Sequence, residues 1–203
     1  MSSNNWVAAG AALVAMAASV ASADVVGGLV TGGSSGGSFQ LIAPPAAIGP
    51  DSLESPDLFA FDEEQDVVLT QPLPIGLGRV AGVGSVLSSH YVAFDPAEPS
   101  TLEAAVDFDA AIVGLIRGDG LDGTTALFGI DSTTYTTAPA LGVDMTDEVL
   151  IAPGMPNRLI LRYGANSPGD HLRVLTGTIV PEPTTVLLVS IAAIGLCTRR
   201  NAA

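Results

Sequence analysis

The sequence predicts an all-β fold, an antiparallel β-sandwich of the jelly-roll kind, on three observations. Short apolar or alternating runs recur at 67–70, 79–83, 90–94, 101–108, 111–117, 125–130, 148–152, 158–163 and 171–179. Clusters of Gly, Pro, Asp and Ser separate them at intervals of about eight to twelve residues, the rhythm of strands and turns. No window of the body sustains helical periodicity over three turns. Some nine strands in about 120 residues suit two stacked sheets.

The individual runs differ in character. In TLEAAVDFD (101–109), Leu102, Ala104, Val106 and Phe108 share one face, while Thr101, Glu103, Ala105, Asp107 and Asp109 share the other. A period of two is what a half-buried strand requires. In 158–163, Leu159, Leu161 and Tyr163 oppose Arg158, Ile160 and Arg162. The run AIVGLI (111–116) is apolar throughout and predicts a central strand covered on both faces. Before these, GGLV, TGGSSGGS and APPAAIGP (within 25–50) combine free glycines with prolines that deny regular pairing. That stretch predicts a linker with one short strand at Phe39–Ile42. The domain plan is therefore 1–23, a 24–57 segment rich in Gly, Pro and Ser, a sandwich over 58–180, and a tail over 181–203.

Composition narrows the function. The 203 residues carry 21 acids against seven bases, all Arg, for a net charge of −14. Nucleic acid is excluded as a partner, since phosphates need a basic face for counterion release. An anionic membrane surface is disfavoured for the same reason. One Cys rules out a disulfide framework and a multi-Cys zinc site. The lone Trp falls at position 6, so the body has only Tyr and Phe to offer a sugar ring.

Both ends read as addresses. Residues 7–20, VAAGAALVAMAASV, form an uncharged apolar run that leads into Ala21-Ser22-Ala23. Small side chains at Ala21 and Ala23 are what a signal peptidase accepts, so Asp24 is expected to begin the mature chain. The first six residues hold no Lys or Arg, and the positive charge of this region rests on the terminal amine. At the other end, Pro181-Glu182-Pro183 precedes the 15 uncharged residues 184–198, and Arg199 and Arg200 follow. As a helix the stretch spans about 22 Å, shorter than a hydrocarbon core of about 30 Å. The fold is thus expected to be flanked by an N-terminal signal helix and a short C-terminal transmembrane helix. The Arg pair places the C-terminus in the cytoplasm.

This tail resembles the PEP-CTERM sorting signal. The resemblance implies processing by an exosortase, with Pro181, Glu182 and Pro183 as the recognition element and Arg199 and Arg200 as the stop. It further implies transient insertion in the inner membrane of a bacterium that makes exopolysaccharide, then delivery beyond it. Within the body, FDEEQDVVL (61–69), SSHYVAFDP (88–96), AAIVGLI (110–116) and SPGDHLRVLTGTIVPEP (167–183) resemble a group of PEP-CTERM proteins to which no activity is attached.

Several constellations could carry chemistry. Gly32-Gly33-Ser34-Ser35-Gly36 satisfies G-x-S-x-G, but a nucleophile elbow needs a strand before it and a helix after it. Ser89, His90 and Asp95 lie on or just after one strand, where Ser89 and His90 must point to opposite faces. His90 is read as a satisfied sheet residue and His171 as one at a strand edge. Asp119 and Asp122, in RGDGLDG (117–123), are too few oxygens for calcium unless Asp107, Asp109 or Asp131 joins them. Glu63, Glu64 and Asp66 read as a solvated acidic edge, and Asp170 with Arg173 as a local ion pair. Cys197 reads as a small hydrophobe.

The expectation is an exported, non-enzymatic cell-surface or matrix protein without a cofactor. Its partners would be signal peptidase, an exosortase and extracellular polysaccharide. The alternatives are a calcium-dependent, lectin-like polysaccharide-binding module and a secreted hydrolase.

Overall fold

A computed structural model describes residues 23–136, 141–143 and 147–180. The apolar run 7–20, Ala21 and residues 181–203 lie outside the described residues, and with them the two flanking helices expected from the sequence.

The chain is mostly β-sheet with little helix, as the alternation predicts. Four strands form one sheet in the order β1 (Val25–Gly32), β9 (Ser100–Phe108), β13 (Arg158–Ala165) and β12 (Glu148–Ile151). The larger sheet runs β10 (Ile112–Arg117), β14 (Asp170–Thr178), β8 (Val86–Phe94), β4 (Leu58–Asp62) and β2 (Phe39–Leu41). Its sixth strand, β5 (Val67–Val68), also pairs with β8. Two short ribbons complete the β structure: β3 (Ala47–Ile48) with β11 (Thr134–Tyr135), and β6 (Leu73–Pro74) with β7 (Val80–Ala81). Most pairings are antiparallel, but β2 with β4 and β3 with β11 are parallel, a departure from the expected pattern.

Period-two alternation puts Leu102, Val106 and Phe108 of β9 and Leu159 and Leu161 of β13 on the inner face of the smaller sheet. They share one core with Leu58, Val92, Phe94, Leu172 and Val174 of the larger sheet. The other face of the larger sheet is covered too. There Phe61, Leu87, Tyr91 and Leu175 pack with Ile48, Ile75 and two residues of α1 (Asp119–Phe128), Leu121 and Phe128. The larger sheet is thus the middle layer, and no other described element covers the outer face of the smaller sheet.

Three local expectations are corrected. Most of the expected 117–123 loop and 125–130 strand instead forms the single helix α1. Two glycines make its sequence a poor helix former. Packing of Leu121, Thr124 and Phe128 on one face compensates, while Asp119 and Asp122 complement the dipole in the first turn. Gly118, just before it, has φ of 57°, a conformation costly for a side chain with Cβ. Next, the Gly-rich 25–32 stretch is not linker but strand β1, paired along β9 from Val25–Phe108 to Gly32–Glu103. Finally, β10 is buried on nearly every residue, as expected, yet it is an edge strand rather than a central one. Loops close its free edge: Leu115 donates its backbone N–H to Ile75 and Ile112 donates to Pro156. Gly114 permits that approach, since a Cβ there would lie 2.6 Å from the Ile75 carbonyl oxygen.

Candidate functional site

Two polar clusters that include residues singled out in the sequence lie on or beside β4, β8 and β14, adjacent strands of the middle layer, and separate by parity onto its two faces. His90 and Thr176 point to the inner face and Ser89, Tyr91, His171 and Arg173 to the outer one.

On the outer face Arg173 is fully buried and meets Glu63, also fully buried, through two hydrogen bonds. Its Nε donates to Oε2 at 2.6 Å and its Nη2 to Oε1 at 2.7 Å. Ser89 donates to the same Oε2 at 2.6 Å. The remaining guanidinium edge reaches up into α1, with Nη1 donating to the Leu121 carbonyl at 2.9 Å and to Thr124 Oγ1 at 2.6 Å. Rings of Tyr91 and Tyr135 lie 5.7 and 5.8 Å from its Cζ. A buried charge pair needs this degree of satisfaction, because the desolvation of both ions is otherwise uncompensated. Arg173 therefore pins the first turn of the helix to the sheet. Burial, with Glu63 close by, pushes the Tyr91 and Tyr135 hydroxyls well above the usual tyrosine range. Neither can act as a base near neutral pH.

His171 lies beside this network. Its Nδ1 is 3.1 Å from the Tyr91 hydroxyl, and its Nε2 is buried with no hydrogen-bond partner among the described residues. Burial lowers its pKa to about 3, so the ring is neutral over the physiological range.

On the inner face, His90 Nδ1 lies 2.6 Å from Asp62 Oδ1 and His90 Nε2 lies 2.9 Å from Thr176 Oγ1. Carboxylate, imidazole and hydroxyl stand in the order that acyl transfer uses. Access decides against that use. His90 and Thr176 are fully buried and the His90 ring packs on Phe108, while only Asp62, at the far end from the hydroxyl, reaches solvent. A nucleophile must meet its substrate, and Thr176 faces the sheet-to-sheet core.

The sequence placed some of these groups and misplaced others. His90 is a satisfied sheet residue, and Ser89 does face away from it, toward Glu63. Glu63 overturns the solvated-edge reading: backbone bonds from Glu63 N to Ser89 O and from Ser89 N to Glu64 O turn it under α1. Arg173 takes Glu63, 110 residues away, rather than Asp170, three residues distant on a strand whose sides alternate. His171 is the second residue of β14, near that strand's end as expected, but it is fully buried in an interior strand of the sheet. Asp95 joins neither Ser89 nor His90, and its Oδ2 accepts the Leu53 N–H at 2.8 Å. Ser34 bridges to Thr101, exchanging bonds with its backbone and hydroxyl, and no helix follows it.

Asp119 and Asp122 are exposed on α1, and Asp107 is engaged with Arg158, whose hydrogen bond holds its carboxyl below the usual range. Asp109 Oδ1 accepts the Asp24 N–H at 2.8 Å. Among the described residues, no three His, Cys, Asp or Glu side chains gather as metal ligands. Of the residues expected at a signal-peptidase site, Ala23 is buried and Asp24 is exposed at the entrance to β1. The buried Arg173–Glu63 pair is not legible in the sequence, since its partners lie 110 residues apart. No protein-family model matches the chain, nor does any curated protein or solved structure.

Proposed function

We propose that the chain is an exported, non-enzymatic surface or matrix protein, a β-sandwich of the jelly-roll kind carried to its place by its two ends. On this reading a signal peptidase removes residues 1–23. The Pro181-Glu182-Pro183 element, the apolar stretch and Arg199-Arg200 then hold the chain in the inner membrane until an exosortase acts on it. The observation that carries the proposal is the tripartite order of that tail. Its apolar stretch is too short for a comfortable permanent span, and its Arg pair sets the same topology as an N-terminal export signal.

The body's design supports a non-catalytic role. Its two groupings with catalytic residue types lie under α1 and between the sheets, where they hold elements together rather than face a cleft. The three Tyr and five of the six Phe are buried or half-buried core members rather than an exposed stacking platform for sugars. Any hold on extracellular polysaccharide would then come from exposed polar groups and the acidic surface.

Intact mass of the protein recovered from its host's surface and medium tests the proposal. Loss of residues 1–23 together with cleavage near 181–183 is the expected result. A mass retaining the tail through Ala203 overturns exosortase processing.

A further inference from the structure

The outer face of the four-stranded sheet is the one broad sheet face that no other described element covers, and its residues fall into ordered rows. Register places Leu29 of β1 beside Ala105 of β9, Ala105 beside Ile160 of β13, and Ile160 beside Leu150 of β12. An apolar row therefore crosses the whole sheet, with Leu29 64% and Leu150 46% exposed at its ends. Charged rows flank it on both sides. One runs Glu103, Arg162, Glu148, with Arg162 Nη1 2.7 Å from Glu148 Oε2. The other pairs Asp107 with Arg158 at 2.6 Å.

We propose that this face packs against the same face of a second copy of the chain. The argument is charge complementarity under a two-fold axis. An axis lying in the interface, along the strands and between β9 and β13, sets β9 of one copy over β13 of the other, and β1 over β12. Glu103 then faces the second copy's Arg162, and Asp107 faces its Arg158. Leu29 meets Leu150, and Ala105 meets Ile160. Each row finds its complement without any shift of register.

Stacked sheets with strands nearly aligned are an ordinary packing geometry. Three strands of eight or nine residues and β12 of four, about 4.8 Å apart and rising about 3.3 Å per residue, cover about 460 Å². Two such faces bury about 900 Å², the size of a weak, concentration-dependent contact rather than a permanent one. The face also carries two of the body's five Arg, so it is nearly neutral on a strongly acidic molecule. Like molecules repel least there. The inference is independent of how the chain is sorted.

Charge-swap pairing tests it on the full chain, by sedimentation velocity in detergent at protein concentrations in the tens of micromolar. Glu103 and Arg162 are exposed, at 53% and 61%, so their substitution leaves the fold intact, which equal thermal midpoints verify. Wild type is expected to be dimeric, Glu103→Arg and Arg162→Glu each monomeric alone, and an equimolar mixture of the two dimeric again. Wild type that stays monomeric overturns the proposal. So does dimerisation of either single variant as strong as that of wild type, which assigns self-association to the apolar ends. Retention of a monomeric wild type on cross-linked dextran, lost in Arg162→Glu, reassigns the face to polysaccharide.

Discussion

The two faces of the middle sheet solve the same problem by different means. Toward the smaller sheet, β8 and β14 present Val92, Phe94, Leu172 and Val174, and burial of apolar area does the work, with His90 and, at the start of β14, Asp170 the ionisable groups there. Toward α1 the same strands present Ser89, Tyr91, His171 and Arg173. There the chain orders a helix of weak intrinsic propensity by aiming a guanidinium at its first turn. The inner face gains from non-directional burial, roughly 25 cal/mol per Å² of apolar surface. The outer face depends on directional contacts that fail together when one partner is lost.

That contrast sets the order of expected effects. Arg173→Met leaves the Glu63 carboxylate buried and unpaired and releases the Leu121 carbonyl. The expected loss is about 3–5 kcal/mol in denaturant unfolding, with amide protection over 119–128 falling first. Thr176→Val removes one neutral partner from His90 on the inner face, and about 1–3 kcal/mol should be lost because the ring nitrogen has no replacement. A loss equal to that of Arg173→Met would erase the distinction between the faces.

Acid acts through the outer face. His171 has a folded pKa of about 3 against an ordinary value of 6.5. Below 6.5 the unfolded chain binds a proton that the folded one refuses, so stability is full above 6.5 and falls as pH drops toward 3. Between pH 6.5 and 5 the expected cost is about 2 kcal/mol, at about 1.4 kcal/mol per unit. Comparison of unfolding curves for wild type and His171→Asn isolates it, and identical pH slopes would show that the ring is not the group responsible. The smallest change belongs to Asp119→Ala, in the first turn of α1, at about 0.5 kcal/mol. A much larger loss there would mean that the helix rests on its own end charges rather than on Arg173.

The same contrast explains what the sequence revealed. Leu102, Ala104, Val106 and Phe108 announced their strand because period-two burial writes itself into adjacent residues. Leu159, Leu161 and Tyr163 did so for the same reason. Glu63 was illegible because FDEE, read locally, is a solvated acidic stretch, and the partner that buries it is 110 residues away. Arg173 looked like half of a short-range pair with Asp170, and only strand parity sets the two apart. Helix α1 escaped because its glycines say turn, and its order is imposed by tertiary contacts rather than propensity. Strand β1 escaped because its glycines read as linker, although they leave room for packing, as where a Cβ on Gly28 would strike the Phe39 ring. The candidate catalytic types were visible in the sequence; their burial was not.

The most direct test is a double-mutant cycle on Glu63→Leu and Arg173→Met, read as unfolding free energy in denaturant. If the pair and its helix contacts act as a unit, the double variant loses less than the two single losses combined, by about 3 kcal/mol or slightly less. Strict additivity would contradict that account, leaving α1 held by apolar packing alone.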